Sequence, residues 1–101
     1  MSPTNWSELK NKRLSGMTTA ERDAYDRAYA AARLSAEVGE RIRAAREAAG
    51  LSQRELARRM GTSQAAIGRL ESGAVGATLT TLQRAATALG LEIGIELVQS
   101  A

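Results

Sequence analysis

Residues 50–73 read GLSQRELARRMGTSQAAIGRLESG, and they carry the most informative structural pattern of the chain. It contains two short helical patterns, which begin at Ser52 and Ser63, and a serine hydroxyl is a good cap for a helix N-terminus. Ser52 is followed three residues later by Glu55, which is the spacing of a capping box. Gly61 lies between the two patterns, and glycine readily adopts the positive φ that a tight turn requires. The stretch therefore predicts two short helices joined by a tight turn.

Further helical patterns flank this stretch on both sides. A capping-box spacing at Thr18 opens an Ala-rich helix, and apolar residues at helical spacing continue as far as Gly50. The sequence leaves open whether residues 34–38 are a continuous helix or a hinge. On the other side, Thr78 caps a last helical pattern that ends at Gly90. Together the patterns predict an all-α fold of about five helices.

Residues 91–98 follow a different pattern, in which every second residue is apolar. This alternation predicts a β-strand, and no second strand is predicted elsewhere in the chain. A lone strand leaves its backbone groups unpaired, so we expect it to pair with the same strand of a second copy across a two-fold axis. The alternative is a frayed apolar tail. The expected dimerisation residues are Leu91, Ile93, Ile95 and Leu97.

A longer pattern of residues runs through the two short helices and beyond them. It consists of Gly50, Leu51, Ser52, Gln53, Glu55, Leu56, Ala57, Gly61, Ser63, Ile67, Arg69, Leu70, Glu71 and Gly73, followed by Leu82, Ala88, Leu89 and Gly90. The pattern covers about residues 38–90 and resembles the XRE family of phage-repressor-like helix-turn-helix domains. The resemblance implies a DNA-binding domain whose second short helix enters the major groove. Arg46 and Glu71 occupy positions that the family joins by an internal ion pair; the alternative for Arg46 is a solvated or phosphate-facing charge.

The same resemblance implies roles for individual side chains at the DNA. Gln64 is expected to read a base, because a glutamine amide can bond to both N6 and N7 of adenine. Arg69 is expected to bond to guanine or to a phosphate, and Ala65 to touch a thymine methyl group. Gln53, at the start of the first short helix, is expected to hold a phosphate. The remaining expected contacts come from Thr62, Ser63 and Ser72.

Two positions depart from the family pattern. Gly68 lies inside the second short helix, where glycine costs about 1 kcal/mol relative to alanine, and either permits a closer approach to the groove or has no role. The loop of residues 73–77 lacks the cation that many relatives place against a phosphate. Fewer phosphate contacts imply weaker binding per monomer, which a dimer that reads two half-sites would offset.

Residues 1–35 exceed what a bare DNA-binding domain of this family needs. Their segment around Trp6, Leu9 and Leu14 is too short and polar to build a core, and Tyr25 and Tyr29 lie one helical turn apart. This organisation resembles the HigA-type antitoxins, which implies that these five residues bind and block a cognate RNA-cleaving toxin. Two alternatives stay open: the side chains pack on the protein's own helices, or the protein is a stand-alone repressor whose arm contacts DNA or an effector.

The sequence thus predicts three parts. Residues 1–35 form an arm and helix for the toxin, residues 36–90 form the DNA-binding domain, and residues 91–101 form the dimerisation strand. The expected partners are duplex operator DNA, a toxin and a second copy of the chain.

Composition excludes several other functions. The chain of 101 residues contains neither His nor Cys, which are the usual general base, thiol nucleophile and zinc ligands. We therefore expect no enzyme, no metal and no cofactor. The chain has no apolar run of 18 residues and a polar N-terminus, which predicts a cytoplasmic protein without a membrane span. The net charge of +3 permits a polyanionic partner without requiring one.

Overall fold

A computed structural model of the protein describes residues 11, 12, 15–74 and 76–100. From Thr19 to Ala88 it contains four helices, which are α1 (Thr19–Ala48), α2 (Gln53–Met60), α3 (Gln64–Ser72) and α4 (Leu79–Ala88). The predicted all-helical class is confirmed for this described part of the chain. None of these helices is long and apolar enough to cross a membrane.

Helix α1 begins at a capping box and is helical throughout residues 34–38. The Thr18 hydroxyl accepts a hydrogen bond from the Glu21 N–H (3.1 Å), and the Glu21 carboxylate accepts one from the Thr18 N–H (3.4 Å). Residues 34–38 include no glycine or proline to interrupt the helix, and Arg33 pairs with Glu37 one turn later (3.6 Å). Two predicted helical patterns are therefore one helix, and residues 19–88 contain four helices, so the expected number of about five is not reached in this part of the chain.

The contacts between residues divide the chain into two units, with the division between Ala31 and Ala32. In the first unit, most described side chains of α1 are exposed. The rings of Tyr25 and Tyr29 stack there, with centroids 6.4 Å apart and planes inclined by 16°. The second unit contains the rest of α1 and helices α2 to α4.

Helices α2, α3 and α4 enclose a small apolar core. Leu56 of α2 and Ile67 of α3 are the large side chains that are fully buried, and Ala57, Met60 and Ala85 pack around them. Full burial of a leucine or isoleucine side chain contributes about 1.5–3 kcal/mol. The predicted inward positions of the two short helices are thus the positions that hold α3 against α2.

Two arginines join the ends of α2 and α4. Arg84 of α4 donates a hydrogen bond to the carbonyl oxygen of Met60, and Arg59 Nη1 of α2 donates one to the carbonyl oxygen of Ala88 (3.5 Å). The last carbonyl groups of a helix have no partner within the helix. Each arginine therefore supplies a donor to the C-terminal end of the other helix.

Helix α1 approaches the end of α3 so closely that both backbones need glycine. A Cβ atom at Gly39 would lie 2.5 Å from the carbonyl oxygens of Leu70 and Glu71. Gly73 has φ +72°, and a Cβ atom there would lie 2.7 Å from the Cα of Ala36. The contact between α1 and the end of α3 is therefore made backbone to backbone.

Residues 91–100 are exposed and form no strand, so the strand expected here is not present in the single chain. A strand is held by backbone hydrogen bonds to a neighbouring strand, and the described residues supply no such neighbour within the chain. The alternating apolar side chains remain in contact with water. Their exposed fractions are 52% for Leu91, 41% for Ile93, 67% for Ile95 and 94% for Leu97.

Candidate nucleic-acid interface

Helix α3 presents one accessible side along its whole length. The Ser63 hydroxyl caps the helix by accepting a hydrogen bond from the Ala66 N–H (3.1 Å), and the helix ends at Gly73. Ile67 and Leu70 are buried, which directs the opposite side outward. We call that side the outward face of α3. It consists of the exposed Gln64, Ala65, Arg69 and Ser72 and the half-buried Gly68.

A group of hydrogen bonds around Glu71 sets the position of α3. Arg46 of α1 donates from Nε to Glu71 Oε2 (2.6 Å) and from Nη2 to Glu71 Oε1 (3.0 Å). Gln53 Nε2, in the first turn of α2, donates to the same Oε1 (3.2 Å). Arg46 Nη1 also donates to the carbonyl oxygen of Leu51, in the loop before α2 (2.8 Å). One carboxylate on α3 is therefore held by side chains from α1 and α2.

The Arg46–Glu71 ion pair is largely removed from water. The exposed fraction of the side chain is 11% for Arg46 and 4% for Glu71. The hydrogen bond to Glu71 raises the pKa of Arg46, against the opposing effect of burial. The cost of removing two charges from water offsets most of the attraction between them, so such a pair adds little net stability. Removing only one of the two partners is strongly destabilising, because it leaves the other charge buried without compensation. We expect its main effect to be the fixed angle of α3.

Gln53 lies at the start of α2, beside α3. Ser52 caps α2 with the predicted capping box, in which its hydroxyl accepts a hydrogen bond from the Glu55 N–H (3.0 Å). Together with Gln53, the residues Arg46, Ser52, Arg54 and Gln64 line an open groove. None of the ion pairs in the described chain involves Arg54. A helix N-terminus and an unpaired guanidinium group both favour an anion, such as a phosphate, in this groove.

Comparison with known families agrees with this geometry. The family model described as helix-turn-helix matches residues 42–95, which is more than half of the chain. The chain belongs to the XRE family of helix-turn-helix proteins. No curated protein and no solved structure matches it.

In this helix-turn-helix protein, α2 and α3 are the two helices of the motif, and α3 is the recognition helix. The family is one of DNA-binding regulatory domains and is not an enzyme family. Among the described residues, no cluster of acidic side chains is arranged to hold a metal ion.

The residues expected to touch DNA lie on or beside the recognition helix. Thr62 and Ser63 are exposed in the turn that precedes Gln64. Ser72 has a local role that the sequence did not indicate, because its hydroxyl donates to the Arg69 carbonyl (3.0 Å) and accepts from the Ala74 N–H (3.3 Å). Likewise, Gln53 was expected only at a phosphate, and the structure also joins it to Glu71.

Other predicted site residues lie away from this surface. Tyr25 and Tyr29 belong to the first unit, and the dimerisation residues lie in the exposed segment after α4. Trp6, Leu9 and Leu14 fall outside the described residues.

Sequence reasoning missed two features that position the recognition helix. Gly39 could have been found, because an isolated glycine inside a helical pattern often marks a close packing contact. The Leu51 carbonyl oxygen that accepts from Arg46 gave no signal, since every residue has such an oxygen.

Proposed function

We propose that this protein is a transcriptional regulator that inserts the outward face of α3 into the major groove of duplex operator DNA. The observation that carries the proposal is the exposure of Gln64 and Arg69 on one side of a helix whose position is fixed through Glu71. A glutamine amide can bond to adenine and a guanidinium group to guanine, each through two hydrogen bonds. Ala65, between them, is small enough to lie against a thymine methyl group.

Phosphate contacts would flank this base-reading surface. The groove beside Gln53 and Arg54 suits a phosphate on one side of the major groove. Thr62 and Ser63 would contact a second phosphate or a base from the turn. At the far end of α3, the Ser72 hydroxyl would exchange the Arg69 carbonyl for a phosphate oxygen as its acceptor.

We further propose that the protein acts as a homodimer through residues 91–98. The alternating apolar side chains of this segment are exposed in the single chain, and pairing with the same segment of a second copy would cover them and satisfy the backbone groups. Two copies would then present two recognition helices to two half-sites of one operator.

For the arm and helix of residues 1–35, we propose the role of an antitoxin. The protein would bind a cognate RNA-cleaving toxin in the cytoplasm and repress its own operon. The stacked pair of Tyr25 and Tyr29, with Tyr29 53% exposed, supports an aromatic contact surface there, to which Trp6, Leu9 and Leu14 would add. A stand-alone repressor, whose arm contacts DNA, is the second candidate, because Lys10, Lys12 and Arg13 could follow phosphates.

The DNA-reading role is tested with Gln64→Ala. Wild-type protein first selects its preferred duplex from a library of random sequences. On that duplex Gln64→Ala should cost about 1–3 kcal/mol and relax the preference at one base pair, as measured by fluorescence anisotropy. The control is Gln83→Ala, an exposed glutamine on α4, which should bind like the wild type. Equal losses for Gln64→Ala on the selected and a scrambled duplex would refute its role as a base reader.

The antitoxin role is tested by deleting residues 1–31. This deletion leaves in place Ala36, which lies against Gly73 at the end of α3. The shortened protein should still bind the selected duplex but should no longer co-purify with the product of the neighbouring reading frame. Loss of DNA binding with the deletion would instead support the stand-alone repressor.

A further inference from the structure

Gly68 is a helical glycine that the packing of the protein does not require. A Cβ atom there would lie 3.8 Å from Oε1 and 4.0 Å from Nε2 of Gln53, which is an ordinary van der Waals contact. Gly39, the other glycine within the four helices, would instead place a Cβ atom 2.5 Å from two carbonyl oxygens. Glycine lowers helix stability relative to alanine, so Gly68 weakens α3 without relieving any contact inside the protein.

The absence of a side chain at Gly68 affects the shape of the surface that α3 presents. Along the helix axis Gly68 lies between Gln64 and Ala65 on one side and Arg69 and Ser72 on the other, and it is half-buried on the edge of the outward face that adjoins α2. The side-chain atoms nearest to the missing Cβ are those of the Gln53 amide. The outward face therefore has an opening at Gly68, and the Gln53 amide lies next to it.

The Gln53 amide is held in place at this opening. Its Nε2 donates to Glu71 Oε1, which also accepts from Arg46 Nη2. A side-chain amide has two N–H donors and one carbonyl acceptor, so the bond to Glu71 leaves one N–H and the oxygen Oε1 for another partner. Because the amide is already anchored, it loses less conformational entropy on binding than a freely moving glutamine side chain would.

We propose that Gly68 admits DNA to the Gln53 amide, so that the second N–H of Gln53 donates to a phosphate oxygen through the opening. The inference rests on the proposed function, in which the outward face of α3 enters the major groove. A methyl group at position 68 would fit within the protein and lie against the amide on the side of the outward face, 3.8 Å from Oε1 and 4.0 Å from Nε2. Gly68 is thus a positioning residue that acts through Gln53.

The test is a double-mutant cycle of Gly68→Ala and Gln53→Ala on the duplex selected by the wild-type protein. Gly68→Ala should raise the melting temperature by about 4 °C and weaken binding by about tenfold, on the selected and a scrambled duplex alike. Gln53→Ala should weaken binding by a similar factor. The double variant should bind no more weakly than Gln53→Ala alone, because the methyl group then covers nothing.

Two results would overturn the inference while the proposed function stands. In the first, Gly68→Ala binds as tightly as the wild type. In the second, Gly68→Ala causes the same loss whether or not Gln53 is present, which would mean that the methyl group meets DNA directly. If the wild-type protein selects no duplex at all, the proposed function fails and the inference fails with it.

Discussion

Glu71 accepts three hydrogen bonds from two side chains, and those side chains belong to different helices. A carboxylate with a 4% exposed side chain depends on such partners, because a buried charge without compensation is strongly unfavourable. The same bonds connect the recognition helix to α1 and α2. At the scale of the residue, Glu71 therefore couples the stability of the domain to the orientation of the helix that would read DNA.

Arg46→Met should lower the free energy of unfolding by about 3 kcal/mol, because it leaves the Glu71 carboxylate buried without a cation. Urea denaturation measures the change. The control is Arg43→Met, whose ion pair with Glu47 has both side chains more than half exposed. That variant should cost less than about 1 kcal/mol. Similar losses for the two variants would contradict a special role of the buried pair.

At the scale of the helix, local hydrogen bonds stabilise the N-terminal end of α2. The hydrogen bonds with Ser52 lower the pKa of Glu55 below its usual value, and the nearby Arg58 and Arg59 contribute in the same direction. A carboxyl whose pKa is lower in the folded than in the unfolded state stabilises the protein above its unfolded pKa of about 4.3. This stabilisation is lost as the pH falls through the folded pKa.

Glu55→Gln should therefore remove a pH-dependent contribution to the free energy of unfolding. The difference in unfolding free energy between the wild type and this variant should be greatest near neutral pH and should shrink as the pH is lowered below about 4. Chemical denaturation at a series of pH values measures it. The same series on Ser52→Ala, which lacks the hydroxyl partner, should show a weaker effect of Glu55→Gln. A difference that is constant with pH would refute the assignment.

Helix packing gives a second prediction at this scale. Gly39→Ala should destabilise the protein by about 1–3 kcal/mol, although alanine is the better helix former, because its Cβ atom would meet the carbonyl oxygens of Leu70 and Glu71. Thermal unfolding measures the change. Gly68→Ala is the matched control, since the same substitution meets only ordinary contacts there and should be stabilising. A stabilising Gly39→Ala would show that α1 does not approach α3 so closely.

At the scale of the whole molecule, the proposed pairing of the segment after α4 with a second copy would set how many recognition helices meet one operator. Two copies joined through residues 91–98 would place half-sites about 34 Å apart, or a multiple of that distance, because two recognition helices on one side of the DNA must meet successive turns of the major groove.

Ile95→Lys should separate the two copies, because it places a charge in the apolar side of the proposed strand pair. Sedimentation velocity should show a dimer for the wild type and a monomer for the variant, with a large loss of affinity for the selected duplex. Gln99→Lys adds the same charge near the end of the chain and should remain a dimer. A dimeric Ile95→Lys protein would place the interface elsewhere.

Several features of the fold were predictable because the rules behind them are local. The capping boxes at Thr18 and Ser52 follow from hydroxyl and carboxylate residues three positions apart, and both are formed. The turn at Gly61 follows from the ease with which glycine adopts positive φ. The inward positions of Leu56 and Ile67 follow from helical spacing. Each signal lies within about one helical turn of the residue that it describes.

The local sequence patterns were thus enough to predict where helices α2, α3 and α4 begin and end, which sides of α2 and α3 are apolar and to which family the chain belongs, whereas Leu79, expected on the inward side of α4, is 66% exposed. The three-dimensional arrangement was needed to show that Gly39 meets the end of α3 and that Gln53 is joined to Glu71. These outcomes depend on how helices far apart in sequence cross one another. The spacing of residues along the sequence indicates the periodicity of one helix, but it does not indicate the distance between two helices.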